Sequence, residues 1–166
     1  GGVGTLAVTI AKAMGAEGTA VCSTAKVDTV RSLGADRVID YTTDDYTELV
    51  RDQQLLFDNV GNRGWKETSR VLAADGINVT ITGPKHGWFG PMREFAVRGL
   101  AARRTDQRFV YFTASVKGED LETLAGMLAS GAITPVIERT HALADTADAL
   151  RYLGEGHSHA KIVIVP

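Results

Sequence analysis

Apolar residues recur at helical spacing from the third residue onward. Val3, Leu6, Ala7, Ile10, Ala11 and Met14 share one face of a helix, and Gly15 follows the last of them as a fitting stop. The period then changes. Thr19 to Ser23 ("TAVCS") is a short β-rich run bounded by Gly18, and Val27, Val30 and Leu33 return to helical spacing ahead of Gly34. The alternation continues with "RVIDY" as a strand, Tyr46, Leu49 and Val50 on a helix, and "LLFDNV" as a strand. Trp65, Ser69 and Leu72 then fall on a helix, with "INVTITG" as the next strand. Strands and helices alternating in this way predict βαβ units: a parallel sheet covered on both faces, joined by right-handed crossovers.

The rhythm breaks after Gly83, where "PKHGWFGP" (Pro84 to Pro91) reads as a loop. A helix at Met92 to Arg104 leads to the apolar and aromatic strand "RFVYFTAS". Leu121, Leu124, Ala125 and Leu128 mark another helix, stopped by Gly131. The tail holds "TPVIERT", a helix around Ala147 to Leu153, and the strand "AKIVIV". No internal repeat or low-complexity tract interrupts this order.

Composition changes little in that picture. A chain of 166 residues with 44% apolar and 23% charged residues can bury one good core. A net charge of −2 gives no electrostatic reason to expect nucleic acid or an anionic membrane, and the basic cluster "RGLAARR" (Arg98 to Arg104) reads as a solvated face. Cys22 is the one cysteine, so neither an internal disulfide nor a four-cysteine zinc site can form, and a reducing, cytoplasmic setting fits. No apolar run approaches the ~20 residues that span a bilayer.

The chemistry sits at the start. A turn made mostly of glycine and leading into a helix lets the backbone approach a pyrophosphate, while the helix N-terminus points free N–H groups at the charge. Gly1, Gly2 and Gly4 match the last three glycines of a G-x-G-G-x-G turn, whose first glycine and preceding strand are expected to lie before residue 1. After the second strand of such a domain, an acid usually binds the ribose hydroxyls of NAD. Here Ser23, Thr24, Ala25 and Lys26 stand instead, which favours NADP(H) over NAD(H), although Asp28 works against it. "DNVGN" (Asp58 to Asn62) and Thr82-Gly83 close two later strands, where ligands of parallel sheets bind; Asp58 and Asn62 also suit helix capping. His86, His141, His157 and His159 have no partners at ligand spacing, so no metal is expected in this chain. No G-x-S-x-G elbow or Walker lysine appears either.

With these residues in hand, the chain resembles the medium-chain dehydrogenase/reductase superfamily, in its zinc-free, quinone-oxidoreductase-like branch. The resemblance covers nearly the whole chain through "GGVGTLAVTIAKAMGAE", "LGADRVIDY", "DNVGN" and the closing "ITPVIERTHALADTADALRYLGEGHSHAKIVIVP". It implies a Rossmann-type doubly wound parallel sheet lacking its first strand, the second half of a two-domain enzyme. Residues 1–131 would be the NADP-binding domain, and 132–166 a C-terminal segment that normally completes an absent N-terminal catalytic domain. The strands "TPVIERT" and "AKIVIV" would then have lost those partners. By the same resemblance Gly1, Gly2, Val3 and Gly4 would hold the pyrophosphate, and Lys26 and Tyr41 the 2′-phosphate. Ser23 and Thr24 would line the ribose-phosphate loop; Asn59, Val60 and Gly83 would lie near the nicotinamide. Ala160 departs from the glycine that relatives commonly carry before the lysine.

The expected activity is hydride transfer from NADPH to a small molecule, a quinone or an α,β-unsaturated carbonyl, with no catalytic residue in this chain and weak turnover by the chain alone. Two other readings remain open: a zinc-dependent alcohol dehydrogenase, whose ligands would lie upstream, and a non-catalytic dinucleotide-binding module. The apolar tail argues against the second, since a stand-alone domain should not keep strands patterned for a partner. A homodimer through the edge strand Phe109–Ser115 is also expected.

Overall fold

The structure is a computed structural model that describes residues 2–81, 105–111, 114–156 and 158–166. Gly1, Thr82, Gly83, the expected loop Pro84–Pro91 with His86, the expected helix Met92–Arg104, Phe112 and Thr113 of the expected edge strand, and His157 lie outside the described residues. The chain divides into two compact units, residues 1–43 with 116–166, and residues 44–115.

In the first unit α1 (Gly2–Ala13) is stopped by Gly15, whose φ of 79° is the left-handed conformation that ends a helix. β1 (Thr19–Cys22) and β2 (Arg37–Asp40) pair in parallel, with Cys22 opposite Asp40. They are joined by a 3-10 turn (Thr24–Lys26), α2 (Val27–Ser32) and Gly34 at φ 95°. Lys12 of α1 bonds Asp36 at 2.6 Å, and Asp36 also accepts the Gly18 N–H at 2.8 Å, tying both strand entrances to the helix.

In the second unit the order β3-β4-β5 is parallel throughout: β3 (Gln53–Asp58), β4 (Leu72–Thr80) and β5 (Arg108–Tyr111). α3 (Tyr46–Leu49) starts on Asp45, which accepts the Thr47 N–H at 2.9 Å, and α4 (Trp65–Val71) runs directly into β4. The strand expected from Ile77 thus begins five residues earlier, at Leu72. Its register against β3 shifts after Gln53↔Leu72, so the intervening residues bow outward. Gly76 sits in that bow, where a Cβ would stand 2.7 Å from the Gln53 carbonyl oxygen. Gln107 bonds the carbonyls of Ser69 and Ala73, both at 3.0 Å, fastening the approach to β5. The core gathers Val50, Trp65, Val71 and Leu72 with the buried polar side chains of Thr47, Thr68, Asn78 and Thr80.

The remainder of the first unit holds α5 (Gly118–Ala129), β6 (Ile137–Ala142), α6 (Thr146–Gly154) and β7 (Lys161–Val165). The two tail strands, expected to have lost their partners, pair with each other in parallel. Among the described residues the strands form three parallel sheets, β1 with β2, β3-β4-β5, and β6 with β7.

Candidate functional site

Ligands of a parallel sheet bind where strands end and helices begin. In the first unit this edge is built from the start of α1, the ends of β1 and β2, and the segment before β7. Gly2, Val3 and Gly4 form the first turn of α1 rather than a loop ahead of it. That turn carries no acidic side chain, so its free N–H groups and positive dipole end have no anion of their own. Gly4 has open space where a Cβ would project, whereas one on Gly2 would meet the stem of Lys161 at 2.9 Å.

A cavity of about 90 Å³ lies behind this turn, walled by Gly4, Thr5 and Val8 of α1, by β1, by Lys26 and α2, and by His159. Ser23 precedes the 3-10 turn, whose Lys26 N–H returns to the Ser23 carbonyl at 2.8 Å. Lys26 Nζ lies 3.5 Å from the Ser158 carbonyl, a long bond that leaves the ammonium able to take a stronger acceptor. Thr24 meets Thr42 through their hydroxyls at 2.9 Å, and Tyr41, which follows β2, is 60% exposed. Gly2, Val3, Gly4, Ser23, Thr24, Lys26 and Tyr41 therefore share one unit, with Lys26 and Gly4 on the same cavity.

Three features of this edge were missed in the sequence. Asp40 ends β2 beside Thr24, whereas the sequence pattern looks for the acid after β1; the hydroxyls of Thr24 and Thr42 hold its carboxyl below the usual range. His159 and Lys161 reach the site from the tail, more than 130 residues from Lys26, and no local pattern signals it. The third is Glu138 of β6, which accepts Tyr152 Oη at 2.6 Å, Ser158 Oγ at 2.9 Å, and the His159 and Ala160 N–H groups at 2.7 and 3.1 Å. Those donors, Tyr152 foremost, pull its carboxyl down to about 2.

Asn59 and Val60 belong to the second unit. They lie in a turn that Asp58 closes by accepting the Val60 and Gly61 N–H groups at 3.0 and 2.8 Å, and Val60 is exposed. Asp58 thus caps a turn, while α4 is capped at Gly64 rather than Asn62. Asp58 Oδ2 is buried without a partner among the described residues. Gly1 and Gly83 lie outside the described residues. Burial raises the Cys22 thiol, and burial with the charge of Asp58 pushes Tyr46 up to about 12, so neither is an ionised nucleophile or base near neutrality.

The donor set of the first unit, free helix N–H groups and lysines with no acid in the first turn, fits the phosphates of a dinucleotide. It does not fit zinc. Among the described residues no three His, Cys, Asp or Glu side chains converge as metal ligands.

Comparison with known proteins concerns the chain as a whole. The zinc-binding dehydrogenase family pattern matches residues 33–164. The chain is 32% identical to the mitochondrial NAD(P)H oxidoreductase RTN4IP1 of Mus musculus, over 99% of this chain and 45% of that protein. It is 30% identical to a chloroplast envelope quinone oxidoreductase homolog of Arabidopsis thaliana, over 100% of this chain and 50% of that protein. The chain spans about half the length of these curated relatives. Among solved structures, the Coxiella burnetii quinone oxidoreductase superposes with a TM-score of 0.80 at 22% identity, over 98% of this chain and 49% of that one. The Escherichia coli quinone oxidoreductase solved with NADPH gives 0.76 at 22% identity, over 100% and 54%. At these identities the two structures speak for the fold.

Proposed function

The chain belongs to the zinc-binding dehydrogenase family, in the quinone-oxidoreductase-like part of the medium-chain dehydrogenase/reductase superfamily, and from that membership we propose that it is the cofactor-binding part of an NAD(P)H-dependent oxidoreductase. The observation that carries the reading is the cavity behind the first turn of α1, with Gly4 and Lys26 on its walls and no acid in that turn. Gly2, Val3 and Gly4 offer the backbone of a pyrophosphate site. Ser23, Thr24, Lys26 and Tyr41 take the adenosine ribose and its 2′-phosphate, and Asn59 and Val60, with Gly1 and Gly83, complete the set by resemblance.

When bound, the nicotinamide supplies the hydride, and the protein supplies orientation and charge. The acceptor class we propose is a quinone or an α,β-unsaturated carbonyl. Names among the relatives support it: a quinone oxidoreductase homolog and an NADPH-dependent alkenal/one oxidoreductase, both of Arabidopsis thaliana. We propose NADP(H) over NAD(H) on the strength of Lys26, against which Asp40, kept anionic by its hydroxyl donors, works. We propose weak turnover by the chain alone, which spans about half the length of its curated relatives. Two copies are proposed to pair along the Phe109–Ser115 edge, where β5 ends the strand order of its sheet.

Titration calorimetry of the chain with NADPH and NADH tests the cofactor reading. NADPH is expected to bind more tightly, with the preference lost in Lys26→Ala. Absence of binding to both would overturn it, and equal losses for both nucleotides in Lys26→Ala would remove the NADP assignment. NADPH oxidation by a quinone at ordinary enzyme rates, ~1–10³ per second, would overturn the weak-turnover expectation.

A further inference from the structure

Resting on the cofactor reading above, we propose that Glu138 is a positioning residue for the phosphate-bearing ribose: it holds the Ser158–Ala160 segment against Lys26 and so sets the preference for NADPH over NADH. Glu138 lies on β6, 112 positions along the chain from Lys26, and touches neither Lys26 nor the cavity. Its effect passes through the segment that precedes β7.

The division of labour between its two oxygens carries the argument. Oε1 takes one bond, from Tyr152 on α6. Oε2 takes the N–H groups of His159 and Ala160, and it shares the single proton of the Ser158 hydroxyl, 2.9 Å away, with the Ala160 carbonyl at 2.8 Å. Two consecutive backbone amides and a side chain converging on one oxygen fix the peptide planes of the segment, because each amide must point inward at the carboxylate. The Ser158 carbonyl, trans to the His159 N–H across their shared peptide, then faces the other way. The carbonyl stands 3.5 Å from Lys26 Nζ, and His159 walls the cavity that Lys26 also walls.

Lys26 is thereby aimed by a weak acceptor that a phosphate oxygen can outcompete. Charged acceptors make shorter and stronger bonds than a carbonyl at the limit of reach. Freed of Glu138, the His159 and Ala160 amides would seek other acceptors, the segment would turn, and the Lys26 ammonium would lose the contact that holds it over the cavity. NADH carries no 2′-phosphate, so its binding does not use this arrangement.

The test is calorimetric binding of NADPH and NADH to the chain and its variants. Glu138→Gln is expected to weaken NADPH about tenfold while changing NADH little, since a charge-assisted network is lost at the segment. Tyr152→Phe removes the Oε1 bond but leaves the Oε2 bonds, and is expected to keep the wild-type ratio of affinities. Should Glu138→Gln fail to fold, Ser158→Ala removes one Oε2 donor and is expected to lower the NADPH preference in the same direction by a smaller factor. A purely structural role for Glu138 would weaken both nucleotides alike, and an unchanged ratio in Glu138→Gln, or in Ser158→Ala if the first does not fold, overturns the proposal. If the wild-type chain binds neither nucleotide, the cofactor reading falls and this inference with it. If the wild type prefers NADPH and the variant does too, this inference alone falls.

Discussion

Two glycines with opposite surroundings give opposite expectations. At Gly76 a Cβ would stand 2.7 Å from the Gln53 carbonyl and 3.0 Å from the Ala73 nitrogen, both backbone atoms that cannot swing aside. Gly76→Ala should cost ~1–3 kcal/mol as overpacking, read as a lower urea midpoint; an unchanged midpoint would mean the bow between β3 and β4 yields freely. At Gly4 a Cβ meets nothing within 4 Å and the residue is already helical. Gly4→Ala should raise stability by ~0.5–1 kcal/mol and yet weaken NADPH, because the new methyl stands at the cavity wall. Glu138 adds a pH dependence. Its folded value of about 2 lies below the ordinary 4.5, so its contribution is complete above pH 4.5 and is lost as pH falls from there towards about 2. Acid titration of the folded chain should show that limb flattened in Glu138→Gln; superposable limbs would deny the carboxylate its four donors.

Elements here are short, and their ends rely on side chains more than on propensity. α4 has seven residues, too few to persist alone, and its start depends on Glu67, which accepts the Gly64 N–H at 3.0 Å and Arg63 at 2.9 Å. Arg63 continues to Asp45 at 3.0 Å, joining the start of α4 to that of α3. Glu67→Ala should therefore destabilise by ~0.5–2 kcal/mol, with little effect from Lys66→Ala on the exposed side. Equal effects of the two, measured by urea unfolding, would deny the cap its role. Apart from β4, periodicity located the described helices and strands to within a few residues, because apolar spacing records which face is buried. It misplaced the start of β4 because Leu72, Ala73, Ala74, Asp75 and Gly76 lack alternation. Those residues become strand through the register shift against β3, a long-range pairing that the local pattern does not carry.

At the scale of the molecule, large apolar side chains remain on the described surface. Ile137, Leu143, Leu150 and Leu153 are each more than half exposed, and Leu121, Leu124 and Leu128 line α5 without being buried. Exposed apolar side chains of this kind should bind a hydrophobic dye and drive concentration-dependent association, lessened in the double variant Leu150→Glu, Leu153→Glu. A sedimentation profile independent of concentration would contradict that. The sequence by itself determined the βαβ rhythm, the glycine-led first helix, the lysine after β1 and the family, because each is written in residues close together in the chain. Tertiary structure decided the rest. It alone paired β6 with β7, carried His159 and Lys161 to the start of α1, set Asp40 beside Thr24, and turned Glu138 into an acceptor for the segment facing Lys26. Those contacts join residues up to 159 positions apart, as Gly2 and Lys161 are. Burial periodicity records which face of an element points inward, but which distant segment meets that face is settled only when the chain closes on itself.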